Sequence, residues 1–254
     1  ILTIVRDEEK ARMRFQGPLA AGAPLVFLHG DLRHLPSVKE DVDYIVHGAS
    51  PTASCYFSEM PVETIQDNFV GAIGLLELAR IKRCQSFLFL SSMEVYGALH
   101  SREKVDEKHE SLVDPMQVRS SYPEVKRMVE ALCTAYASEY GVPAKVIRLT
   151  QTFGAGVRHD DNRVFAQFMR SALSGEDIVL RTKGGTERSY LYTADAVTAM
   201  LAVLLCGENV EAYNAANETA YCSIHEMAEC VAHLPCIRER YGTFLNVVIR
   251  EDKR

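Results

Sequence analysis

Short apolar runs and longer apolar stripes alternate along this chain. Residues 1–5, 25–32, 42–50, 87–90 and 145–150 are rich in Ile, Val, Leu and Phe and are bounded by small or charged residues. Runs of this length predict strands, and the nearly continuous ones predict strands buried on both faces. Two longer stretches carry helical spacing. In 61–82 the stripe is Ile65, Phe69, Ala72, Ile73, Leu76 and Ala79; in 122–140 it is Val125, Met128, Val129, Leu132, Cys133 and Tyr136. Gly71 and Gly74 weaken the first helix but permit close packing on a sheet. Pro123 suits a first helical turn, and Gly141-Val142-Pro143 stops the second helix. Strands alternating with helices predict an α/β fold with a parallel, doubly wound sheet.

The later pattern is more broken. A helix is expected over 161–170, a strand over 177–181, a helix over 195–205 and a strand with a turn over 211–217. Ser223-Ile224-His225-Glu226 is a capping box that opens a last helix. Beyond Pro235 the pattern fades. Residues 98–117 are charged, contain Asp114-Pro115, and read as a loop or lid. Two regions are expected, 1–150 and 151–254, with part of the second packing back on the first.

Composition narrows the function classes. The chain has 254 residues, 47% hydrophobic and 24% charged, enough for one large α/β domain or two small ones. A net charge of −6 argues against a nucleic-acid surface. No apolar run reaches membrane-spanning length and no charged-then-apolar leader is present, so no membrane partner is expected. Seven cysteines, several in apolar helical patterns, fit reduced, buried thiols of a cytoplasmic protein. Cys222, His225, Cys230, His233 and Cys236 crowd one segment, but their spacings match no standard zinc site and no metal is expected.

The chemistry concentrates between residues 91 and 126. The apolar run 87–90 ends in Ser91-Ser92, placing hydroxyls at the carboxyl end of a buried strand. Tyr122 and Lys126, four apart, share one helix face. An ammonium beside a phenol favours the phenolate, which makes a usable base, and Ser92 can share the proton relay. An ordinary surface tyrosine–lysine pair is the plain alternative.

Ser91-Ser92-Met93-Glu94-Val95-Tyr96-Gly97, Tyr122 with Lys126, and the continuation Arg127 and Glu130 together resemble the extended short-chain dehydrogenase/reductase family of nucleotide-sugar epimerases, dehydratases and decarboxylases. The resemblance implies a Rossmann-type sheet with a smaller substrate-binding region. It also implies NAD (NADP remains open), a nucleoside-diphosphate sugar, and a homodimer built on helices 61–82 and 122–140. Ser92, Tyr122 and Lys126 match the family triad. A first strand and its glycine-rich phosphate turn would precede Ile1.

Cofactor residues follow from the same resemblance. Arg6 and Asp7 stand at the adenosine edge, where an acid suits a free 2′-hydroxyl and an arginine a 2′-phosphate, so the signal is split. Asp31 and Leu32 end a Gly-Asp-Leu segment near the adenine. Ala49 and Ser50 would let backbone approach the dinucleotide, and Asn68 matches a family asparagine near the cofactor. A solvated charge cluster is the plain reading of Arg6 and Asp7, and a solvent-facing polar residue that of Asn68. His47 reads as a strand-end core residue. Substrate contacts are expected from Ser92, Met93, Gln151, Arg163 and Arg188, with the Arg188 guanidinium able to bond two phosphate oxygens.

The reaction turns on Met93 and Glu94. In the family's 4,6-dehydratases an Asp-Glu pair protonates the leaving C6 hydroxyl and removes the C5 proton. Met93 has no proton to give, while Glu94 remains. Decarboxylation of a 4-keto uronic acid needs no such acid, so UDP-glucuronate decarboxylation is the first expectation. A 4-epimerase is second and a 4,6-dehydratase third. A non-catalytic nucleotide-binding relative is the expectation from another class.

Overall fold

A computed structural model describes residues 1–51, 54–97 and 103–250. The chain divides into two compact units, Ile1–Arg148 with Ala202–Tyr213, and Leu149–Leu201 with Asn214–Arg254.

The first unit begins with β1 (Leu2–Val5), α1 (Glu8–Arg14), α2 (Gln16–Ala20) and β2 (Val26–His29). It continues with β3 (Tyr44–His47), α3 (Tyr56–Glu59), α4 (Pro61–Lys82), β4 (Ser86–Ser92), α5 (Ser121–Tyr140) and β5 (Ala144–Leu149). The chain then runs through β6 (Gln151–Phe153), α6 (Val164–Ser174), β7 (Ile178–Leu180), β8 (Glu187–Tyr192), α7 (Thr193–Cys206) and β9 (Ala212–Ala215). It ends with β10 (Tyr221–Ser223), α8 (Ile224–Ala232), α9 (Pro235–Tyr241) and β11 (Val247–Ile249).

β1 and β2 form a parallel pair. A separate four-stranded sheet has the order β3-β4-β5-β9, with β3 parallel to β4. β4 is interior, which explains its run of buried apolar residues: Phe87, Leu88 and Phe89 are fully buried. The core of this unit joins those phenylalanines to Ala72, Leu76 and Ala79 of α4 and to Val125, Val129 and Cys133 of α5.

The buried helix faces differ from the apolar stripes. α4 buries Thr64, Asn68, Gly71, Ala72, Leu75, Leu76 and Ala79, whereas Ile65 and Ile73 are 44% and 37% exposed. Close approach selects the small residues: a Cβ at Gly71 would lie 2.8 Å from Leu32 Cδ2. α5 buries Tyr122 and Lys126, while Met128 is exposed. The thiols also divide, with Cys84 and Cys133 buried but Cys55, Cys206, Cys230 and Cys236 exposed.

In the second unit β8 lies between β6 (parallel) and β10 (antiparallel). β7 and β11 form a parallel pair. Phe168, Ile178, Leu180, Ile237 and Leu245 form its main core. The helix expected from 161 starts at Val164, because Asp161 is occupied by Arg163. Residues Gln151–Phe153 form β6. The fading text after Pro235 still makes α9, started by a proline in its first turn and ended by left-handed Gly242. The capping box at Ser223 and Glu226 forms with both bonds present.

Of the loop expected over 98–117, residues 98–102 lie outside the described residues. The rest is mostly irregular and is bridged through Leu112 to Gly97, which ends the short turn after β4. Among the described residues no helix is long and apolar enough to cross a membrane.

Candidate active site

β4 and α5 bring Ser92, Tyr122 and Lys126 together in the first unit. Ser92 ends β4 with extended backbone, and its Oγ accepts the Glu94 N–H at 3.2 Å, starting a short 3-10 turn over Met93–Tyr96. Its hydroxyl lies close enough to the Tyr122 phenol to influence its titration. The Tyr122 ring stacks on Phe57 of α3 with centroids 4.1 Å apart and planes 9° apart. Ser121 Oγ, one residue earlier, donates to the Phe57 carbonyl at 2.9 Å. Two consecutive residues of α5 therefore hold α3 in place.

Lys126 is 3% exposed and its Nζ donates to the Leu90 carbonyl at 2.9 Å. The ammonium lies 4.7 Å from the Phe89 ring centroid and 5.5 Å from that of Tyr122. It is thus directed at a strand-end carbonyl and at ring faces. Burial pulls Lys126 down to about 7, partly opposed by the Glu130 carboxylate. Burial pushes Tyr122 up to about 12; the Ser92 hydroxyl lowers it and the Glu94 charge raises it further. This reverses the direction expected from a phenol beside an ammonium. Desolvation of both groups outweighs their mutual attraction here.

Glu94, expected as a catalytic carboxylate, accepts two bonds from Arg119, at 2.8 and 3.1 Å. Arg119 also lies over Phe57, 5.7 Å from its centroid. Arg119 and Phe57 were not singled out in the sequence. Arg119 stands three residues before Tyr122, a spacing that could have drawn notice, whereas a four-residue helix leaves no pattern to find Phe57 by. Met93 is half-buried beside Glu94.

The other expected cofactor residues are placed as follows. Asp7 caps α1, accepting from Lys10 N at 3.0 Å, and Arg6 is exposed beside it. Asp31 Oδ1 accepts from the backbone N–H groups of Arg33 and His34 at 2.8 and 2.7 Å. These bonds hold its carboxyl below the usual range, His34 contributing most. Leu32 packs on Gly71. Ala49 is exposed and Ser50 donates to the Pro51 carbonyl at 3.1 Å. Asn68 is fully buried; its Nδ2 donates to Thr64 O at 2.7 Å and its Oδ1 has no partner. His47 is buried against Phe87 and Phe89 with both ring nitrogens unpartnered. Burial, then the Lys126 charge, lowers it to about 4, so it is neutral at pH 7.

In the second unit Gln151 lies on β6 in register with Tyr190, two residues from the exposed Arg188 of β8. Arg188 donates to the carbonyl of Glu187 at 2.7 Å. Arg163 is held by the Asp161 carboxylate, with Nη2 to Oδ2 at 2.6 Å.

A cavity of about 660 Å³ in the first unit is lined by Tyr96, Glu107, Arg127, Glu130, Cys133 and Arg148, among others, but not by Ser92, Tyr122 or Lys126. The latter three combine a hydroxyl, a phenol and an amine in one place. Groups here could meet the reactive end of a nicotinamide nucleotide: the Lys126 ammonium has two N–H donors beyond the one given to Leu90, and Asn68 has an unpartnered buried acceptor oxygen.

Comparison with known proteins bears on the family and the fold. A UDP-glucuronic acid decarboxylase of Arabidopsis thaliana is 32% identical over 196 residues, 76% of this chain and 56% of its own length. One from Xenopus tropicalis is 34% identical over 167 residues, 65% of this chain and 38% of its own length. The chain therefore spans about half the length of the curated relatives it matches. Among solved structures, a dTDP-glucose 4,6-dehydratase from Bacillus anthracis superposes with TM-score 0.77 at 19% identity, covering 100% of this chain and 76% of that one. A UDP-glucuronic acid 4-epimerase from Bacillus cereus gives 0.77 at 18% identity, covering 99% and 78%. Both share the Rossmann-type α/β fold. A family model described as the NAD dependent epimerase/dehydratase family matches residues 6–216, across both units. With the Ser92–Tyr122–Lys126 cluster inside that match, the chain belongs to the NAD dependent epimerase/dehydratase family.

Proposed function

We propose that the protein modifies a nucleoside-diphosphate sugar by transient oxidation at C4 of the sugar, with UDP-glucuronate decarboxylation as the reaction. The observation that carries this is the gathering of Ser92, Tyr122 and Lys126 at the carboxyl end of β4. Tyr122, in its phenolate form, takes the proton of the C4 hydroxyl, and Ser92, beside that phenol, bonds the reacting oxygen. Lys126 supplies positive charge beside the phenol and N–H groups for a ribose. NAD, when bound, accepts and returns the hydride, so none is consumed. A C4 ketone lets a C5 carboxylate leave as carbon dioxide without an acid at C6, consistent with Met93. The names of the decarboxylase relatives support the same choice.

Arg188 and Gln151 are the proposed diphosphate and sugar contacts, and Arg163 a further substrate contact. Arg6, Asp7, Asp31, Leu32, Ala49, Ser50 and Asn68 are the proposed cofactor contacts. Asp7 and Asp31 would do this while also capping local turns. A second reading, 4-epimerisation, is favoured by the Arg119 clamp on Glu94, which leaves that carboxylate engaged. A homodimer through α4 and α5 is supported by exposed Val62, Ile65, Ile81 and Met128 on those helices. Light scattering at twice the chain mass is the expected result. For the activity, full-length protein is incubated with a panel of nucleotide sugars and products are read by mass spectrometry. Conversion of UDP-glucuronate to a pentose nucleotide supports the proposal; binding without conversion of any sugar would make the protein a nucleotide-binding relative instead.

A further inference from the structure

Ser92, Tyr122 and Lys126 come from different elements, so something must hold them in register. α5 meets the end of β4 at two consecutive residues. Lys126 Nζ donates to Leu90 O at 2.9 Å, and one turn later Glu130 Oε1 accepts from Ser91 Oγ at 2.5 Å. Arg148 of β5 closes on Glu130 with two bonds, Nε to Oε1 at 3.0 Å and Nη2 to Oε2 at 2.6 Å. Its Nη1 reaches the Tyr96 hydroxyl and the Glu107 carbonyl, each at 2.8 Å. Ser92 therefore sits between two tethered residues, Ser91 before it and Tyr96 after it. Both tethers end on the Glu130–Arg148 pair, whose side chains are 14% and 13% exposed.

Resting on the functional reading above, we propose that Glu130, locked by Arg148, is a positioning residue for the reaction: it fixes Ser92 against Tyr122 and sets a carboxylate one helical turn from the Lys126 amine. The titratable groups around Lys126 are Glu130 and Tyr122 on its own helix and His47 from β3, with Glu94 beyond Tyr122. His47 is neutral, and Glu94 and Glu130 are each paired with an arginine, but Glu94 lies beyond Tyr122 whereas Glu130 shares the helix face of Lys126. Glu130 is thus the carboxylate placed to favour the ammonium, one helical turn away. Ordinary packing would need the fork of Arg148 but not a charge beside Lys126.

The test uses lysine-labelled protein, following the Lys126 side chain by NMR titration in the native chain, Glu130→Gln and Glu130→Asp. Gln should move the Lys126 midpoint to lower pH, while Asp, which keeps the charge, should leave it near the native value. In turnover, Glu130→Gln and Ser91→Ala should lower kcat while KM for UDP-glucuronate stays within about twofold. The double variant should be no slower than Glu130→Gln alone, because both act through one contact. An unmoved Lys126 midpoint in folded Glu130→Gln overturns the proposal, as does native kcat with only a lower thermal midpoint. If Glu130→Gln does not fold, Ser91→Ala, which loses a single hydrogen bond, decides through the same split of kcat from KM. The titration needs no turnover. A native protein that converts no nucleotide sugar therefore refutes the functional reading, while the midpoint still decides the role of Glu130.

Discussion

Tyr122→Phe separates chemistry from packing. The ring is 8% exposed and stacked on Phe57, and phenylalanine keeps that surface and that stack. What is lost is one hydroxyl and, at most, one hydrogen bond's worth of interaction with Ser92. A hydrogen bond of this kind contributes about 1 kcal/mol net, equivalent to roughly 2–4 °C in thermal midpoint for a chain of this size. Removing a general base costs about 10²–10⁴ in rate, or roughly 3–5 kcal/mol of barrier. The expected result is a protein that melts within a few degrees of native, as judged by circular dichroism, yet releases almost no carbon dioxide from UDP-glucuronate. Tyr122→Ala provides the contrast: losing the stack and its burial should cost about 3–5 kcal/mol of stability. Near-native turnover by purified Tyr122→Phe would refute the assignment of the base.

Three further outcomes follow from the geometry. Lys126 is depressed from 10.5 to about 7 by burial, so between pH 7 and 10 the unfolded chain binds more protons and stability rises with pH. Lys126→Met should therefore be more stable at pH 7 and lose part of that slope, by several kcal/mol at about 1.4 per unit; denaturant melts at pH 7 and 9.5 that keep the native slope would contradict this. Gly97 has φ 72 and ψ −147, and a Cβ there would lie 2.5 Å from the Leu112 carbonyl carbon; Gly97→Ala should cost at least about 1–3 kcal/mol, and an unchanged melting curve would contradict it. Arg188→Ala should weaken nucleotide-sugar affinity about tenfold or more, the worth of a charged hydrogen bond, and leave NAD affinity unaltered; equal sugar-nucleotide affinity by calorimetry would count against the diphosphate role.

Most elements were legible in the sequence because period and punctuation agreed. α4 and α5 end where glycine, proline and charge indicate, and the box at Ser223 and Glu226 marks α8 to the residue. The buried faces were less legible. α4 turns Thr64, Asn68 and Gly71 inward and leaves Ile65 partly exposed, since close approach to Leu32 favours small side chains over apolar ones. Tyr122 and Lys126 were singled out because their spacing and neighbours suggest chemistry. Their depth was not visible, and depth sets the direction of both pKa shifts. The Arg148–Glu130–Ser91 tether joins residues far apart in sequence through single bonds, which no periodicity encodes. The elements after Pro235 were missed because α9 and β11 are too short to establish a period.

The central claim is oxidation at C4, and a label at that position tests it most directly. UDP-glucuronate carrying deuterium at C4 is compared with unlabelled substrate in the full-length protein, with products read by mass spectrometry. The account predicts slower turnover of the labelled substrate and deuterium retained at C4 of the pentose product. Equal rates, or a pentose whose C4 deuterium has been exchanged for solvent hydrogen, would contradict it.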